Sequence, residues 1–235
     1  MVESRYLHNE LHRRLNRAGT NFSQKLTVDK IDSMLNEALE TWVENRVRYA
    51  EVNSEFRMQL RDLEEKEVEL KITKVTPKYV IAEYPKNLLK PMRHYCLASK
   101  DECGEKELII RIFQTQKLSE SLRDPYLDPS YEFEETIGDE SRKGLYVFHN
   151  NKFKVDSVLI DYIKKPKPLA TPSLTEKGFY MKGGVKIDKD SNLELTSTYQ
   201  AKDIVEIAAL IAMRDTQDYA EYESQLSKIL NVDKI

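Results

Sequence analysis

The sequence is poor in the residues that build the commonest metal and cofactor sites. It has two cysteines, Cys96 and Cys103, and seven glycines in 235 residues. Two cysteines are too few for a disulfide framework, and their C-x6-C spacing is not that of a structural zinc site. No G-x-G-x-x-G fingerprint or P-loop occurs, and Lys182-Gly183-Gly184 is too short to cradle a phosphate. We therefore expect no bound metal or cofactor.

Long hydrophobic runs and an excess of one charge are also missing. The longest apolar run, Ile207 to Met213, is far shorter than the ~20 residues that span a bilayer. Basic residues such as Arg5 and Arg13 near the start argue against a secretory segment. A net charge of -3 arises from mixed charges, which create no strong field toward nucleic acid or anionic lipid. We expect a soluble, intracellular protein without a membrane partner.

Signatures of catalysis are absent as well. No nucleophile elbow or other catalytic signature occurs in the sequence. His8 and His12 have the helical spacing of a metal-binding pair, but Glu10 does not directly follow the first histidine as in zinc proteases. A pair of surface histidines is therefore favoured over a metal site. The sequence predicts a protein that is not an enzyme.

The stretch from Ser197 to Asp215 predicts a buried C-terminal helix. Ser197 and Gln200 have the spacing of a capping box. In this motif the serine hydroxyl accepts from the backbone amide of Gln200, and the glutamine side chain accepts from the backbone amide of Ser197. Apolar residues then cover most of the helix circumference rather than one stripe. Because such a helix must be enclosed, another part of the chain has to cover it.

The N-terminal region supplies the natural cover. Apolar spacing predicts one helix from Val2 to Arg17 and a second that begins after Thr27 and carries a stripe from Ile31 to Tyr49. A third helix, capped by Ser54 and running to about Glu65, is favoured over a single long bent helix.

From Glu67 the apolar period changes from helical to alternating, which predicts short strands. Two hairpins are expected, one turning at Asn150-Asn151 and one at Gly183-Gly184, because asparagine and glycine tolerate the positive φ of tight turns. Val158 to Ile163 predicts a further strand, which ends at Lys164-Lys-Pro-Lys-Pro.

Residues 117–143 predict a long projecting loop. They contain two Asp-Pro pairs and eight acidic residues against four basic ones, with almost no periodicity. A loop of this length often binds a partner. Its interface candidates are Asp124, Tyr126, Asp128 and Tyr131, because loop tyrosines need buried area from elsewhere to offset their ordering entropy. Glu132, Glu134 and Glu135 are interpreted as a solvated charge run.

A second candidate interface is the basic cluster Lys164, Lys165 and Lys167. Its prolines favour a stiff linker, and weak DNA contact is the less favoured alternative, since three lysines bind nucleic acid only weakly.

Together these patterns predict an α+β fold. Residues 1–66 and 197–235 form a helical bundle, and residues 67–196 form an inserted antiparallel β-rich module with the projecting loop 117–143. Removing residues 124–139 is expected to leave a folded monomer.

Three segments carry a resemblance to a known family. They are Val28 to Leu39, Asp161 to Pro166 and Ala201 to Ala209. In this order and with a strand-rich insert between them, they resemble the head-to-tail adaptor, or connector ring, proteins of short-tailed bacteriophages, and most of all the ring proteins of crAss-like phages. The resemblance extends over nearly the whole chain as an ordered pattern.

The resemblance implies a structural virion protein at the head-tail junction, made in the host cytoplasm. Such proteins form a homo-oligomeric ring, commonly of twelve copies, between the portal protein and the tail or further ring proteins. Genomic DNA passes through the ring without sequence-specific recognition. The family has no catalytic residue to carry over. A phage-encoded soluble enzyme and an assembly chaperone are the alternatives.

Overall fold

The computed structural model describes residues 2–17, 26–100, 103–113 and 127–214. The chain divides into two compact units. The helical unit comprises Met1–Leu63 together with Pro166–Ile235, and the barrel unit comprises Glu64–Lys165. The predicted α+β fold, with N- and C-terminal helices packed together and a β-rich insert between them in sequence, is confirmed.

The barrel unit is a closed sheet of seven strands. Its strands are β1 (Glu64–Val75), β2 (Tyr79–Glu83), β3 (Leu88–Ser99), β4 (Glu105–Ile112), β5 (Glu135–Ser141), β6 (Gly144–Phe148) and β7 (Lys154–Lys164). The order around the barrel is β1-β2-β6-β5-β4-β3-β7, and β7 pairs with β1 to close it.

One strand pair departs from the predicted antiparallel arrangement. β4 and β5 are parallel, with Ile110 opposite Thr136 and Ile112 opposite Gly138. A parallel pair needs a long crossover, and residues 113–134 supply a connection of sufficient length. The expectation of an all-antiparallel module is therefore wrong at this pair.

The apolar residues of the alternating pattern, from which the strands were predicted, fill the barrel interior. Side chains such as Leu70, Val80, Cys96, Leu108 and Ile160 form one buried cluster. Since successive side chains of a strand point to opposite faces, the polar residues between them lie on the outside.

The turn at Asn150-Asn151 was predicted correctly, but not the pairing of the strands that it joins. Both asparagines have positive φ, 47° and 59°. However, β6 pairs with β2 and β5, whereas β7 pairs with β1 and β3. The turn therefore sends the chain to another part of the barrel instead of closing a hairpin.

The helical unit contains α1 (Ser4–Arg17), α2 (Val28–Tyr49), α3 (Ser54–Gln59) and α4 (Thr198–Met213). It also contains the predicted Gly183-Gly184 hairpin, with β8 (Tyr180–Lys182) paired to β9 (Val185–Ile187). None of the helices in the described ranges combines the length and apolarity needed to cross a membrane.

Helix α4 is buried as expected. It packs against α1 and α2, and Ile204, Val205, Ile207 and Ala208 are inaccessible to solvent. The predicted capping box is wrong in detail. The Ser197 hydroxyl accepts from the Tyr199 amide, two residues on, and the Gln200 amide nitrogen donates to the Gln59 carbonyl instead (2.9 Å).

Helix α3 is shorter than predicted. The side chain of Asn53, not Ser54, caps it by accepting from the Glu55 amide (2.9 Å). The helix ends at Gln59, a 3-10 turn occupies Arg61–Leu63, and β1 begins at Glu64. Because Phe56, Leu60 and Leu63 fit either a continuing helix or this turn, their apolar spacing did not reveal the end.

The insert ends earlier than predicted. It stops at Lys165, whereas residues 166–196 belong to the helical unit. This segment buries Leu169, Leu193 and Leu195, and Leu193 forms a β-bridge with Val2. Isolated bridges leave no alternating pattern in the sequence. Residues 166–196 therefore carry no sequence signal that they leave the β-rich module.

The predicted loop 117–143 is wrong over its second half, where β5 occupies Glu135–Ser141. Asp124 and Tyr126 lie outside the described residues.

Candidate docking surface

A tight turn between Ser130 and Glu135 presents the most exposed aromatic side chain in the described part of the chain. The two end residues exchange backbone hydrogen bonds, Ser130 N–H to Glu135 O (2.9 Å) and Glu135 N–H to Ser130 O (3.1 Å). The Phe133 amide donates to the Ser130 hydroxyl (3.2 Å). We call this segment, residues 130–135, the Phe133 turn. Its internal hydrogen bonds give it a defined conformation.

Phe133 itself has 82% of its surface exposed. The next residue, Glu134, has a φ of 58°, in the left-handed region that side-chain-bearing residues adopt at a cost. Such strain is retained where the surrounding structure imposes it, and it is found disproportionately at binding and active sites. An exposed aromatic ring on a turn of defined conformation is a candidate interface anchor, because aromatic side chains are enriched among the residues that dominate binding energy.

Exposed ion pairs connect the Phe133 turn to β4 and to Lys100, the residue directly after β3. The Lys106 ammonium lies 3.2 Å from the Glu134 carboxylate. Glu132 pairs with Lys100 and Glu135 with Arg111. The hydrogen bond from Lys100 lowers the pKa of Glu132 below its ordinary value. These three glutamates were interpreted as a solvated charge run, and their side chains are indeed exposed, but the sequence did not reveal that each has a basic partner, on β4 or directly after β3.

Tyr131 anchors the turn from inside. Only 3% of its surface is exposed, and it packs in the barrel core near Phe153, with ring centroids 6.4 Å apart. Its hydroxyl donates to the Gly104 carbonyl (2.9 Å). Tyr131 was predicted as an interface anchor because a loop tyrosine needs buried area from a partner. That reason is wrong, because its own barrel buries it.

A groove with a volume of about 370 Å³ runs beside Phe133. Its walls combine apolar side chains with the Arg111–Glu135 ion pair. The apolar part is formed by Phe113, Leu127, Phe133 and Ile137. The aromatic anchor and a partly apolar groove therefore lie on one face of the barrel.

Asp128, another predicted interface residue, borders this groove. Its carboxylate accepts from the Asn150 side chain (2.8 Å) and pairs with Lys152. Burial alone would raise the pKa of Asp128, but the hydrogen bonds from Lys152 and Asn150 lower it below its ordinary value. Asp128 thus links the Phe133 turn region to the Asn150-Asn151 turn.

The lysine cluster is divided between the units. Lys164 and Lys165 belong to the barrel unit and Lys167 to the helical unit. Lys164 pairs with Glu65 (2.9 Å) and Lys167 with Glu194 (3.4 Å). With two of its three charges paired inside the chain, the cluster offers less free charge to DNA than the sequence suggests.

The helical unit contains a buried arrangement of His8, Asp32 and Thr171 whose composition resembles a catalytic triad. The His8 Nε2 atom lies 2.8 Å from both Asp32 Oδ1 and the Thr171 hydroxyl. In a Ser-His-Asp triad the carboxylate and the nucleophile contact opposite ring nitrogens, whereas here they share one. The arrangement is therefore a structural tie. Because His8 is buried, its interpretation as a surface histidine is wrong.

A second titratable cluster lies in the barrel. The Tyr84 hydroxyl donates to Glu140 (3.1 Å) and lies 3.1 Å from His94 Nε2. Burial lowers the pKa of His94 against the opposing effect of Glu140, and burial together with Glu140 raises the pKa of Tyr84. The lowered pKa of His94 favours a neutral imidazole at neutral pH.

Cys96 and His149 are of residue types that can bind zinc, but in this structure they make other contacts. Cys96 lies in the barrel core, where burial raises the pKa of its thiol to about 12. His149 Nε2 donates to the Thr76 carbonyl (3.1 Å). Across the described ranges, no three His, Cys, Asp or Glu side chains are placed to hold a metal ion.

Sequence reasoning missed Phe133. The available signal was a lone aromatic residue within Glu132-Phe-Glu-Glu135, where charge discouraged burial of the ring. Comparison with known proteins adds no assignment: no protein-family model matches the chain, and no curated protein matches it significantly.

Proposed function

We propose that this protein is a structural virion component, a head-to-tail connector that forms a ring between the portal and the tail of a short-tailed phage. The ring surrounds the channel through which the genome passes, and its subunits contact one another, the portal and the next tail or ring protein. In this proposal the protein has no catalytic task.

The observation that supports the proposal best is the Phe133 turn. A subunit of a ring needs specific contact surfaces that do not collapse or aggregate in the free monomer. A single aromatic side chain on a strained, ion-paired turn meets that need, because it adds little apolar surface to the monomer but can fill a pocket of a partner.

The direct test is to quantify the protein in purified phage particles by mass spectrometry against the portal protein. A connector ring predicts a fixed copy number comparable to that of the portal. Absence from the particle, with presence in infected cells, would contradict a connector and would favour an assembly chaperone or an enzyme.

A soluble enzyme is the second candidate, and the Tyr84–His94–Glu140 cluster favours it, since convergent titratable groups with shifted pKa values are found at active sites. Replacing His94 with Gln tests it. An enzyme would lose its activity, whereas a connector carrying the substitution would still be incorporated into particles.

A further inference from the structure

The barrel carries a second cavity on different strands from the Phe133 turn. Its volume is about 510 Å³, and its walls are Pro77, Lys78, Tyr79, Phe148, Asn150 and Asn151. We call it the Tyr79 pocket. The rings of Tyr79 and Phe148, both in the pocket wall, lie 5.7 Å apart between centroids, so one wall is aromatic.

Backbone hydrogen bonds connect the chain segments that line the Tyr79 pocket. The Lys78 carbonyl accepts from the amides of His149 (2.9 Å) and Asn150 (3.1 Å). The positive φ values of both asparagines set the shape of the rim. A preformed pocket loses little conformational entropy when a side chain enters it.

We propose that Phe133 of one copy inserts into the Tyr79 pocket of a neighbouring copy and so forms the contact between subunits of the ring. This inference rests on the proposed connector function. Aromatic side chains stack favourably against aromatic walls, and the pocket is of a size that admits one ring.

Charge complementarity favours a second copy as the occupant. Lys78, at the pocket rim, has no carboxylate partner among the described residues. The Phe133 turn carries Glu132 and Glu134 on either side of the ring, and their side chains are 63% and 57% exposed. Their present partners, Lys100 and Lys106, form exposed pairs of small energy, which leaves both carboxylates able to approach a further lysine.

The placement of the two surfaces fits a ring. Phe133 precedes β5, which pairs with β4 on one side and with β6 on the other, and the Tyr79 pocket lies on β2 and β6, so the two surfaces adjoin but share no residue. When each copy receives Phe133 from one neighbour and inserts its own into another, the contact is heterologous, and heterologous contacts generate rings when the rotation closes, whereas a reciprocal exchange between two copies would give a dimer. Each subunit would donate one phenylalanine and receive one.

The test replaces Phe133 with the photoreactive residue p-benzoylphenylalanine in the full chain. A mixture of isotopically light and heavy protein, assembled with the portal, is irradiated, and crosslinked peptides are identified by mass spectrometry. We expect mixed-isotope crosslinks from residue 133 to the segments 77–79 and 148–151. Crosslinks only within one copy, only to other surfaces or only to the portal would overturn the inference.

A pair of point variants provides a second measurement. Phe133→Ser and Lys78→Glu should each weaken self-association, Phe133→Ser by roughly 30-fold as for an interface hot spot. Met58→Ala, which removes another exposed apolar side chain, is the matched control and should have no effect. Equal association of all three proteins in analytical ultracentrifugation with the portal present would contradict the proposed contact.

Failure of this inference can be told apart from failure of the proposed function. If the protein is present in particles at a fixed copy number but the crosslinks avoid the Tyr79 pocket, the connector stands and this contact is wrong. If the protein is absent from particles, the connector function fails, whatever the crosslinks show.

Discussion

The helical unit and the barrel unit differ in which unfavourable group they contain: the helical unit has buried charges, and the barrel unit has an exposed aromatic ring. The helical unit buries charge: Asp32 and Arg46 are both inaccessible to solvent. The barrel unit keeps its ion pairs around the Phe133 turn at the surface and exposes the aromatic ring itself. Buried charge with complete hydrogen bonding fixes one conformation, whereas an exposed apolar group gains free energy only when a partner covers it. The contrast predicts that the helical unit carries stability and the Phe133 turn carries binding.

The buried charges of the helical unit join segments far apart in sequence. Asp32 accepts from the Thr171 amide (2.8 Å) and the Tyr180 hydroxyl (2.7 Å). Arg46 donates to Gln59 (2.7 Å), and its guanidinium lies 4.4 Å from the Phe56 ring centroid. Each charge thereby fixes a connecting segment or a short helix against α2.

The largest expected effect follows from replacing Asp32 with Asn. The new amide nitrogen cannot accept a hydrogen bond, so the buried groups that contact the replaced oxygen, His8 and the Thr171 hydroxyl at Oδ1 or the Thr171 amide and the Tyr180 hydroxyl at Oδ2, lose their acceptor. We expect the free energy of unfolding to fall by about 3 kcal/mol. Chemical denaturation followed by circular dichroism measures this. Glu37→Gln, on the exposed side of the same helix, is the control and should change stability by less than about 0.5 kcal/mol. Similar effects of both substitutions would show that the Asp32 network is not a stabilising tie.

The same carboxylate should make the helical unit sensitive to acid. Burial would raise the pKa of Asp32, but hydrogen bonds from His8, Tyr180 and Thr171 outweigh it and lower the pKa. A lowered pKa in the folded state means that the stabilisation is present above the ordinary pKa of aspartate, about 3.9, and is lost as the pH falls through the folded value. The stability difference between wild type and Asp32→Asn should therefore shrink below about pH 4. A constant difference down to pH 2 would contradict this assignment.

A smaller loss is expected from Gly144→Ala in the barrel. Gly144 has a φ of 127°, and a Cβ there would collide with the Ala82 carbonyl of the neighbouring strand. We expect about 2 kcal/mol of destabilisation, confined to the barrel unit. Hydrogen exchange can locate the loss. Gly183→Ala is the control, because its Cβ would meet open space despite the positive φ. Equal losses in the two variants would show that backbone strain, not the collision, sets the cost.

Glu134→Gly should leave stability nearly unchanged but weaken binding. Glycine relieves the positive φ of Glu134, a gain that its greater unfolded-state entropy and the lost Lys106 pair offset, so a net change within about 0.5 kcal/mol is expected. The loosened turn presents Phe133 less rigidly, and self-association in the presence of the portal should weaken several-fold. The control is Glu134→Gln, which removes the same carboxylate but keeps a side chain at this position and with it the positive φ of the turn. If Glu134→Gly bound as strongly as wild type, a rigid Phe133 turn would not be needed for binding.

The smallest effect should come from reversing the charges of Lys164, Lys165 and Lys167. Because Lys164 and Lys167 are paired with Glu65 and Glu194, their removal changes internal surface pairs rather than a free basic patch. Electrophoretic shift with duplex DNA should show the same weak binding as wild type. A marked loss of DNA binding would instead support the hypothesis that this lysine cluster contacts DNA in the channel.

The sequence reveals local elements well and long-range pairing poorly. Apolar periodicity located α2, α4 and most barrel strands, because that periodicity reflects which face is buried. The pairing of β6 with β2 instead of β7 depends on closure of the barrel, which the Asn150-Asn151 turn does not report. Likewise, no local pattern shows that Asp32 meets Thr171 and Tyr180, residues more than a hundred positions away.

The candidate site shows the same limit. Asp128 and the acidic segment were recognised as unusual, but Tyr131 was assigned to the surface and Phe133 was overlooked. The difference between them is set by the turn, in which Tyr131 points to the core and Phe133 to solvent. The presence of β5 also affects the deletion of residues 124–139, which was expected to leave a folded monomer. This deletion would remove most of β5 and break the barrel. Point variants at Phe133 are therefore the better probe.

Electron microscopy of the full-length protein mixed with the portal of the same phage tests the connector most directly. Wild type should form rings on the portal, and Phe133→Ser, with an unchanged circular dichroism spectrum, should not. Rings formed equally well by Phe133→Ser would contradict the role of the turn. The absence of any portal-bound ring with wild-type protein would contradict the connector itself.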